Sequence, residues 1–340
     1  ESLTLASLGP APPDPSNAVA DDARAARFGE ALFFDRRLSA NGDVACASCH
    51  RPERAFADDI PRSRGVGETA RNAPALRGAA WAPWLYWDGR RDSLWAQALT
   101  PLERPNEHGT SRVAAVRLVG EDAGYRRAFA DLFGDAPPDV TDAARFPAHA
   151  SPLGDPPART AWQGMATGDR DAVDLAFARI GKVIAAFERT LRPLPSRFDR
   201  YVEALLAGDA AGGGHLDTRE LRGLRLFIGD RARCTRCHNG PLFTNGEFKN
   251  IGLVRRDDPV PDRGRLAALG PVRADPFNCL GPWSDASPAD CAELTFMRRG
   301  GADLLAAFKV PGLRDVARTA PYMHDGRFPD LGSVIAHYVA

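Results

Sequence analysis

The 340-residue chain has few lysines, few methionines and no long apolar run. Its lysines are Lys182, Lys249 and Lys309, and acidic and basic side chains balance at 44 each. Such a chain has no broad basic field for nucleic acid or anionic lipid, so we expect no nucleic-acid partner and recognition of any partner protein through a specific surface. No stretch reaches the roughly 18 to 20 apolar residues of a membrane span. Because the chain starts at Glu1 without Met or an apolar leader, we expect a secreted protein whose signal peptide has been removed.

The residues that are present favour helices. The strongest pattern is in 171–191, where Val173, Phe177, Ile180 and Ile184 fall on one face. No run of alternating apolar and polar residues indicates strands, so we predict a mostly α fold with long loops. The helix from 217 begins with Asp217 as its N-cap, and Glu220 completes a capping box. The predicted helices are 21–36, 92–99, 111–119, 122–132, 171–191, 196–206, 217–228 and 331–339.

Four of the six cysteines form two copies of one pattern, Cys46-Ala47-Ser48-Cys49-His50 and Cys234-Thr235-Arg236-Cys237-His238. Two thiols three residues apart can add across the two vinyl groups of one porphyrin, and the adjacent histidine can bind the iron. The motifs therefore predict two covalently bound haem c groups. Haem c is attached outside the cytoplasm, which predicts a periplasmic or extracellular protein.

Two other interpretations of these motifs fit less well. A zinc ribbon needs its two pairs within about 15 to 20 residues, whereas Cys46 and Cys234 are 188 positions apart. A thioredoxin-type pair needs a βαβ context that the pattern lacks. The other two cysteines, Cys279 and Cys291, are predicted to form a disulfide in an oxidising compartment, with two free buried thiols as the alternative.

One motif falls in each half of the chain, which suggests two related domains. We predict an N-terminal haem c domain over 1–165, with a Pro/Ala-rich insertion at about 134–161, and a C-terminal haem c domain over 166–340. Two haems alone do not distinguish an electron carrier from an enzyme. A carrier needs two fully ligated irons, whereas a peroxidase needs one open iron face with an acid or base beside it.

The blocks around the motifs resemble those of the bacterial di-haem cytochrome c peroxidase and MauG superfamily. The resemblance covers most of the chain and implies two cytochrome-c-like domains and a peroxide-dependent oxidoreductase. The matching blocks are Arg54-Ala55-Phe56-Ala57-Asp58, Arg71-Asn72-Ala73-Pro74-Ala75-Leu76, Tyr86-Trp87-Asp88-Gly89-Arg90, Gln97-Ala98-Leu99, Phe308-Lys309-Val310-Pro311-Gly312-Leu313 and Thr319-Ala320-Pro321-Tyr322-Met323-His324-Asp325-Gly326.

In this family the N-terminal haem is peroxidatic, and the resemblance assigns its acid/base residue to Glu107. Gln97 and Pro101 fall where MauG-like members carry distal-pocket residues. Classical members also have a gating histidine on the loop between the first motif and the Arg-Asn-x-Pro block. None of the seven histidines lies in 52–87, so we expect an open, five-coordinate N-terminal haem.

The resemblance places the distal ligand of the C-terminal haem fourteen residues after His324, at Tyr338. Classical peroxidases have methionine there and MauG has tyrosine. Met165, Met297 and Met323 are the possible sulfur ligands if the alignment slips. A phenolate favours higher oxidation states of iron, so Tyr338 favours a MauG-like oxidase that shares oxidising equivalents between two irons.

Two further assignments follow from the resemblance alone. Trp87 would lie between the haems and couple them electronically. A calcium ion between the haems would be held by the side chain of Asn72 and the carbonyls of Thr319 and Pro321, and oxygen ligands of this kind suit Ca²⁺.

The loop that begins at Asp275 and closes at Cys291 resembles MbnH-type di-haem enzymes of methanobactin clusters. MauG has a surface tryptophan two positions before its second haem motif, and here that position is Ala232. The resemblance therefore implies peroxide-dependent oxidation of a tryptophan, to kynurenine, on an MbnP-like copper-binding partner. The alternatives are a cytochrome c peroxidase fed by a cytochrome or cupredoxin, and a di-haem electron carrier.

Overall fold

The computed structural model describes residues 8–253 and 261–339, which are mostly helical. The one paired sheet among them is β1 (Phe248–Lys249) antiparallel to β2 (Phe308–Lys309), with Phe248 opposite Lys309. No helix in these two ranges has the length and hydropathy to cross a membrane. The helices are α1 Ala23–Phe33, α2 Cys46–Cys49, α3 Leu94–Glu103, α4 Arg112–Glu121, α5 Ala123–Phe133, α6 Pro156–Gly164, α7 Thr167–Arg189, α8 Arg197–Leu206, α9 Thr218–Ile228, α10 Arg265–Ala274, α11 Ala292–Thr295 and α12 Leu331–Val339.

The mostly α fold is confirmed, and each predicted helix is found with ends shifted by a few residues. Asp217 caps α9 through the backbone N–H of Glu220, and the Glu220 carboxylate returns the bond, as the capping box predicted. Four helices were not predicted: the single-turn α2 and α11, and the longer α6 and α10. Asp155 caps α6, whose first turn holds two prolines at positions where no N–H is needed, and α10 contains a glycine and Pro271.

Helix α7 is the centre of the main core. Val173, Ile180 and Val183 are fully buried, and α7 packs against α1 and α3. Two glycines permit these close approaches: a Cβ on Gly29 would lie 1.8 Å from the Val183 carbonyl oxygen, and one on Gly181 would lie 2.6 Å from the carbonyl oxygen of α3 residue Trp95. The long helix is therefore held on two sides by backbone-to-backbone contact.

A buried ion network lies at the same core. The Arg112 guanidinium is 2.7 Å from the Glu103 carboxylate and 2.6 Å from that of Asp174. The Ser151 hydroxyl donates to Glu103, and the Trp162 ring lies 5.0 Å from the guanidinium carbon. Because Ser151 precedes α6 and Trp162 lies within it, the Pro/Ala-rich segment is tied into the core of the N-terminal half.

The packing of α7 is relevant to the predicted boundary between the two domains. A boundary between residues 165 and 166 separates α7 from α1 and α3, although these helices share one core. The two-domain division stays a prediction, and we propose that its boundary follows Arg189, so that α7 belongs with the N-terminal half.

Candidate functional site

A cavity of about 1360 Å³ runs between the two halves and is lined by both Cys-x-x-Cys-His motifs. Small-molecule sites usually occupy roughly 300 to 1,000 Å³, so this cavity has room for more than one ordinary ligand. Its walls come from α3, from the segments around residues 71–90 and 308–324, and from α12.

The first motif presents its groups to this cavity. Cys46 and Cys49 are unpaired thiols on α2, three residues apart. The Nδ1 of His50 donates to the carbonyl oxygen of Phe56 at 3.1 Å, and Phe56 and Ala55 both have positive φ, which turns the chain back toward the ring. Burial lowers the pKa of His50. Burial therefore favours the neutral imidazole, and with Nδ1 as the donor the lone pair is on Nε2, which is the form that binds a metal.

The second motif repeats this arrangement. Cys234 and Cys237 are unpaired, and the Nδ1 of His238 donates to the carbonyl oxygen of Phe243 at 2.9 Å. Phe243 has a φ of 57°, and burial lowers the pKa of His238. Two histidines in the two halves are thus oriented by the same kind of bond.

The site fits haem better than zinc or a redox dithiol. Burial raises the pKa of the Cys46 thiol well above its usual range and that of Cys49 to about 12, which does not suit a redox dithiol, because thiol exchange needs a thiolate. Within 8–253 and 261–339, no three His, Cys, Asp or Glu side chains gather as metal ligands would. Paired thiols, a free histidine nitrogen and a large apolar-walled cavity are what two haem c groups require.

An internal repeat, which the sequence reasoning missed, relates the two halves of the cavity. Trp87-Asp88-Gly89-Arg90 has its counterpart 237 positions later in His324-Asp325-Gly326-Arg327. A β-bridge flanks each block, Leu85 with Arg91 and Tyr322 with Phe328, and the aspartate pairs with the arginine in both. The sequence contains the signal for this repeat. Both blocks share Asp-Gly-Arg, and each is preceded by a Pro-x-Leu-Arg pattern that starts at Pro74 in one half and at Pro311 in the other.

The same offset relates the helices that cover the cavity. Four residues of α3 line it, and the residues 237 positions later line it from α12. The α3 residues are Leu94, Gln97, Ala98 and Pro101, and the α12 residues are Leu331, Val334, Ile335 and Tyr338. Tyr338 therefore occupies, over the second motif, the position that Pro101 occupies over the first. This register is independent of any alignment to other proteins.

Glu107 lies at the end of the cavity near the first motif. Its backbone oxygen accepts a hydrogen bond from the Val66 N–H at 2.8 Å, and a Cβ on Gly65 would lie 2.3 Å from that oxygen, so only glycine allows this loop to approach. Burial raises the pKa of Glu107, and the Arg90 and Arg104 guanidinium groups partly oppose the shift. A carboxyl that holds its proton closer to neutrality suits acid/base work.

Trp87 hydrogen-bonds to both halves of the chain. Its Nε1 donates to the Asn72 carbonyl at 2.9 Å, and its own carbonyl accepts from the Lys309 N–H at 2.7 Å. The Lys309 ammonium in turn donates to the Trp84 carbonyl, and burial lowers its pKa to about 8. The indole is thereby fixed in the wall between the two motifs.

The three residues assigned to calcium all line the cavity, namely Asn72, Thr319 and Pro321. The Asn72 N–H donates to the His324 carbonyl at 2.8 Å, and its side-chain N–H donates to the Ile60 carbonyl. The fold thus brings Asn72 to the segment that carries Thr319 and Pro321, with the amide oxygen of Asn72 available as a ligand. Calcium binding stays a prediction.

Cys279 and Cys291 are joined in a disulfide. The Cys279 N–H donates to the Asp92 carboxylate at 2.8 Å, and burial raises the pKa of Asp92 to about 6. Phe277 packs edge-on against Trp95 of the main core. This loop from the C-terminal half therefore anchors the two halves together.

Glu188 is a cavity residue that the sequence reasoning did not identify. It lies at the end of α7, lines the cavity near Cys46 and is only 4% exposed. Its Oε2 has no hydrogen-bond partner, and burial raises its pKa to about 8. In the sequence it is one more polar residue after an apolar helix face, and nothing local marks it as buried.

Comparisons with known proteins agree with this site. Residues 23–206 match the family model described as di-haem cytochrome c peroxidase. The methylamine utilization protein MauG of Methylorubrum extorquens is 30% identical over 92% of this chain and 67% of its own length. The cytochrome c551 peroxidase of Nitrosomonas europaea is 28% identical over 93% and 73%.

Among solved structures, a MauG-like protein associated with microbial copper homeostasis superimposes with a TM-score of 0.64 at 28% identity, covering 97% of this chain and 80% of that one. The fold, the two Cys-x-x-Cys-His motifs and the similar proteins all indicate the same family. The chain belongs to the di-haem cytochrome c peroxidase and MauG family of oxidoreductases, whose members use two haems.

Proposed function

We propose that this protein is a periplasmic MauG-like oxidase that uses hydrogen peroxide to oxidise a tryptophan of a partner protein. The observation that carries the proposal is the offset of 237 residues that relates α3 to α12. Over the second motif it puts Tyr338, which can bind iron through oxygen, and over the first it puts Pro101, which cannot bind iron through its side chain. One iron would then be fully ligated and the other open to peroxide.

Two covalent haems complete this arrangement. Cys46 and Cys49 would form thioethers to one, and Cys234 and Cys237 to the other, while His50 and His238 would bind the irons through Nε2. When bound, the haems supply the reaction with peroxide and hold its two oxidising equivalents. Haem c attachment outside the cytoplasm and the Cys279–Cys291 disulfide both support a periplasmic location.

Side chains of the protein would transfer the proton of hydrogen peroxide. Glu107 would take the proton from incoming peroxide and return it to the departing oxygen, and its raised pKa supports both roles. Gln97 and Pro101 line the same wall and would shape the space for peroxide. No histidine stands in 52–87 to occupy this face.

Trp87 would couple the two halves. The bond from its indole N–H to the Asn72 carbonyl orients the ring, and the bond from the Lys309 N–H to its backbone carbonyl holds its main chain, which suits a residue that passes charge without moving. A Ca²⁺ ion on Asn72, Thr319 and Pro321 would tie together the segments that carry it.

For the partner we propose an MbnP-like copper-binding protein whose tryptophan is converted to kynurenine. The similarity to a MauG-like protein associated with copper homeostasis supports a copper-linked partner. The loop from Asp275 to Cys291, which first suggested this branch of the family, is an ordered, disulfide-closed element.

The test is to incubate the holoprotein with peroxide and an MbnP-like protein and to map oxidised residues by mass spectrometry. Glu107→Gln and Tyr338→Phe should each abolish oxidation of the partner tryptophan. Glu30→Gln on α1 and Tyr125→Phe on α5 are matched controls, because neither residue lines the cavity. Full partner oxidation by either cavity variant would refute the role assigned to that residue.

A cytochrome c peroxidase is the second candidate, favoured by the 28% identity to cytochrome c551 peroxidase. Rapid peroxide-dependent turnover of a reduced cytochrome or cupredoxin, without oxidation of the partner tryptophan, would establish it. A di-haem carrier would instead show two six-coordinate low-spin irons and no spectral change with peroxide.

A further inference from the structure

An exposed arginine face lies beside the second haem motif. Arg222 and Arg225 project from the outer side of α9 with Leu226 beside them, and Arg236 belongs to the turn that contains the motif. All four residues are exposed, Leu226 by 50%. The turn Cys234–Arg236 packs against α9, so these side chains share one region of the surface. We call these four residues the arginine face.

Exposed arginines in the described part of the chain are of two kinds. Some form ion pairs, as Arg145 does with Asp169 and Arg298 with Asp303, and others, such as Arg126 and Arg127 on α5, are exposed without one. Within the described residues, Arg222, Arg225 and Arg236 form no ion pair and no side-chain hydrogen bond. In a chain of zero net charge, a cluster of unpaired cations gives this region a local positive field.

Apart from Asp230, the acids of this region are engaged at the other end of α9. Glu220 pairs with Arg197 at 2.6 Å, and Asp217 accepts the backbone N–H that caps the helix. Asp230 is exposed in the loop that follows α9. One loop aspartate does not neutralise three guanidinium groups.

The cavity does not account for the arginine face. Arg231 and Arg233 line the cavity and are placed to meet a haem, whereas Arg222, Arg225 and Arg236 do not line it. Exposed cations outside the cavity lining, around an exposed leucine, have the composition of a protein-binding surface. Arginine is enriched in such interfaces, and apolar centres with polar rims are typical of them.

We propose that the arginine face docks an acidic surface of a folded redox protein and brings it to the edge of the C-terminal haem. The inference rests on the proposed function, since it specifies the chemistry of the partner that the oxidase acts on. A protein is favoured over an anionic membrane because the cations form a small patch next to the motif on a neutral molecule. A surface that binds anionic lipid usually has a cluster of about four to eight basic residues.

Binding can be measured without turnover. The probe is an oxidised, acidic plant plastocyanin passed over immobilised holoprotein at low ionic strength. Wild type should bind it, and the double variant Arg222→Glu/Arg225→Glu should weaken the binding at least about tenfold, because each reversal replaces attraction by repulsion. Added salt should remove the difference, since exposed charges are screened.

The matched control is Arg126→Glu/Arg127→Glu, which reverses two exposed arginines on α5 and should leave binding unchanged. A basic mitochondrial cytochrome c should bind neither the wild type nor the control. Equal affinity of wild type and the α9 variant for plastocyanin, or no binding to either, would overturn the inference. So would an α9-dependent attachment to phosphatidylglycerol vesicles in place of plastocyanin binding. Because oxidised plastocyanin needs no peroxide chemistry to bind, failure of the proposed oxidase activity would not affect the result.

Discussion

Replacing Glu188 by glutamine should stabilise the protein at neutral and alkaline pH and leave its stability at pH 4.5 and below unchanged. The carboxyl is buried at the cavity wall, its Oε2 has no partner, and desolvation alone raises its pKa from 4.5 to about 8. The folded protein therefore holds a proton that the unfolded chain releases.

The sign and size follow from this difference in proton binding. Between pH 4.5 and 8 the folded state binds one more proton than the unfolded state, so the free energy of unfolding falls as pH rises, by about 1.4 kcal/mol per pH unit. The accumulated penalty is about 3 kcal/mol at pH 7 and about 5 kcal/mol above pH 8. Glutamine has the same shape and no charge, so Glu188→Gln removes the penalty.

The assay is guanidinium unfolding of the holoprotein, followed by circular dichroism at pH 5, 6, 7 and 8. The difference in free energy of unfolding between Glu188→Gln and wild type should grow from pH 5 to pH 8, and it should level off above pH 8. Glu30→Gln, on the exposed side of α1, should show no such growth. A difference that is the same at pH 5 and pH 8 would refute the reasoning.

Three further outcomes are expected. Arg112→Ala should cost about 3 to 5 kcal/mol in guanidinium unfolding, because it leaves Glu103 buried without its cation; no loss would show that the pair is not desolvated. Gly29→Ala should lower the midpoint of thermal unfolding, because the added Cβ would overlap the Val183 carbonyl oxygen and overpacking costs about 1 to 3 kcal/mol. An unchanged midpoint would contradict the close approach of α1 and α7. Replacing both cysteines of the motif that starts at Cys234 by alanine should let acid acetone extract one of the two haems, as measured by the pyridine haemochrome spectrum; retention of both would argue against thioether attachment there.

Local features of the sequence were sufficient for much of this structure. The capping box at Asp217 and the apolar face from Val173 to Phe187 depend on residues within one or two helical turns, so they could be predicted before any fold was known. The Cys-x-x-Cys-His motifs are equally local, because their chemistry needs only five consecutive residues. Helices α6 and α10 were missed because their prolines and glycines mask the helical pattern.

The cavity itself depends on contacts between distant parts of the chain. Glu188 became a buried, unpartnered acid only when α7 packed beneath the cavity, and no neighbour in sequence indicates that environment. The contact of α7 with α1 and α3 could not be predicted either, because two glycines far apart in sequence permit it; the boundary at 165/166 stays a prediction.

The sequence by itself determined that this chain carries two Cys-x-x-Cys-His motifs on a mostly helical scaffold, since attachment chemistry and helix periodicity are properties of adjacent residues. Only the tertiary structure decided that α3 and α12 cover the cavity in equivalent registers, with Pro101 and Tyr338 at matching positions. That equivalence depends on packing between distant segments, since the turn at Gly89 lies against Phe248 and Arg265 and the turn at Gly326 lies against Pro61, and no local pattern records such contacts.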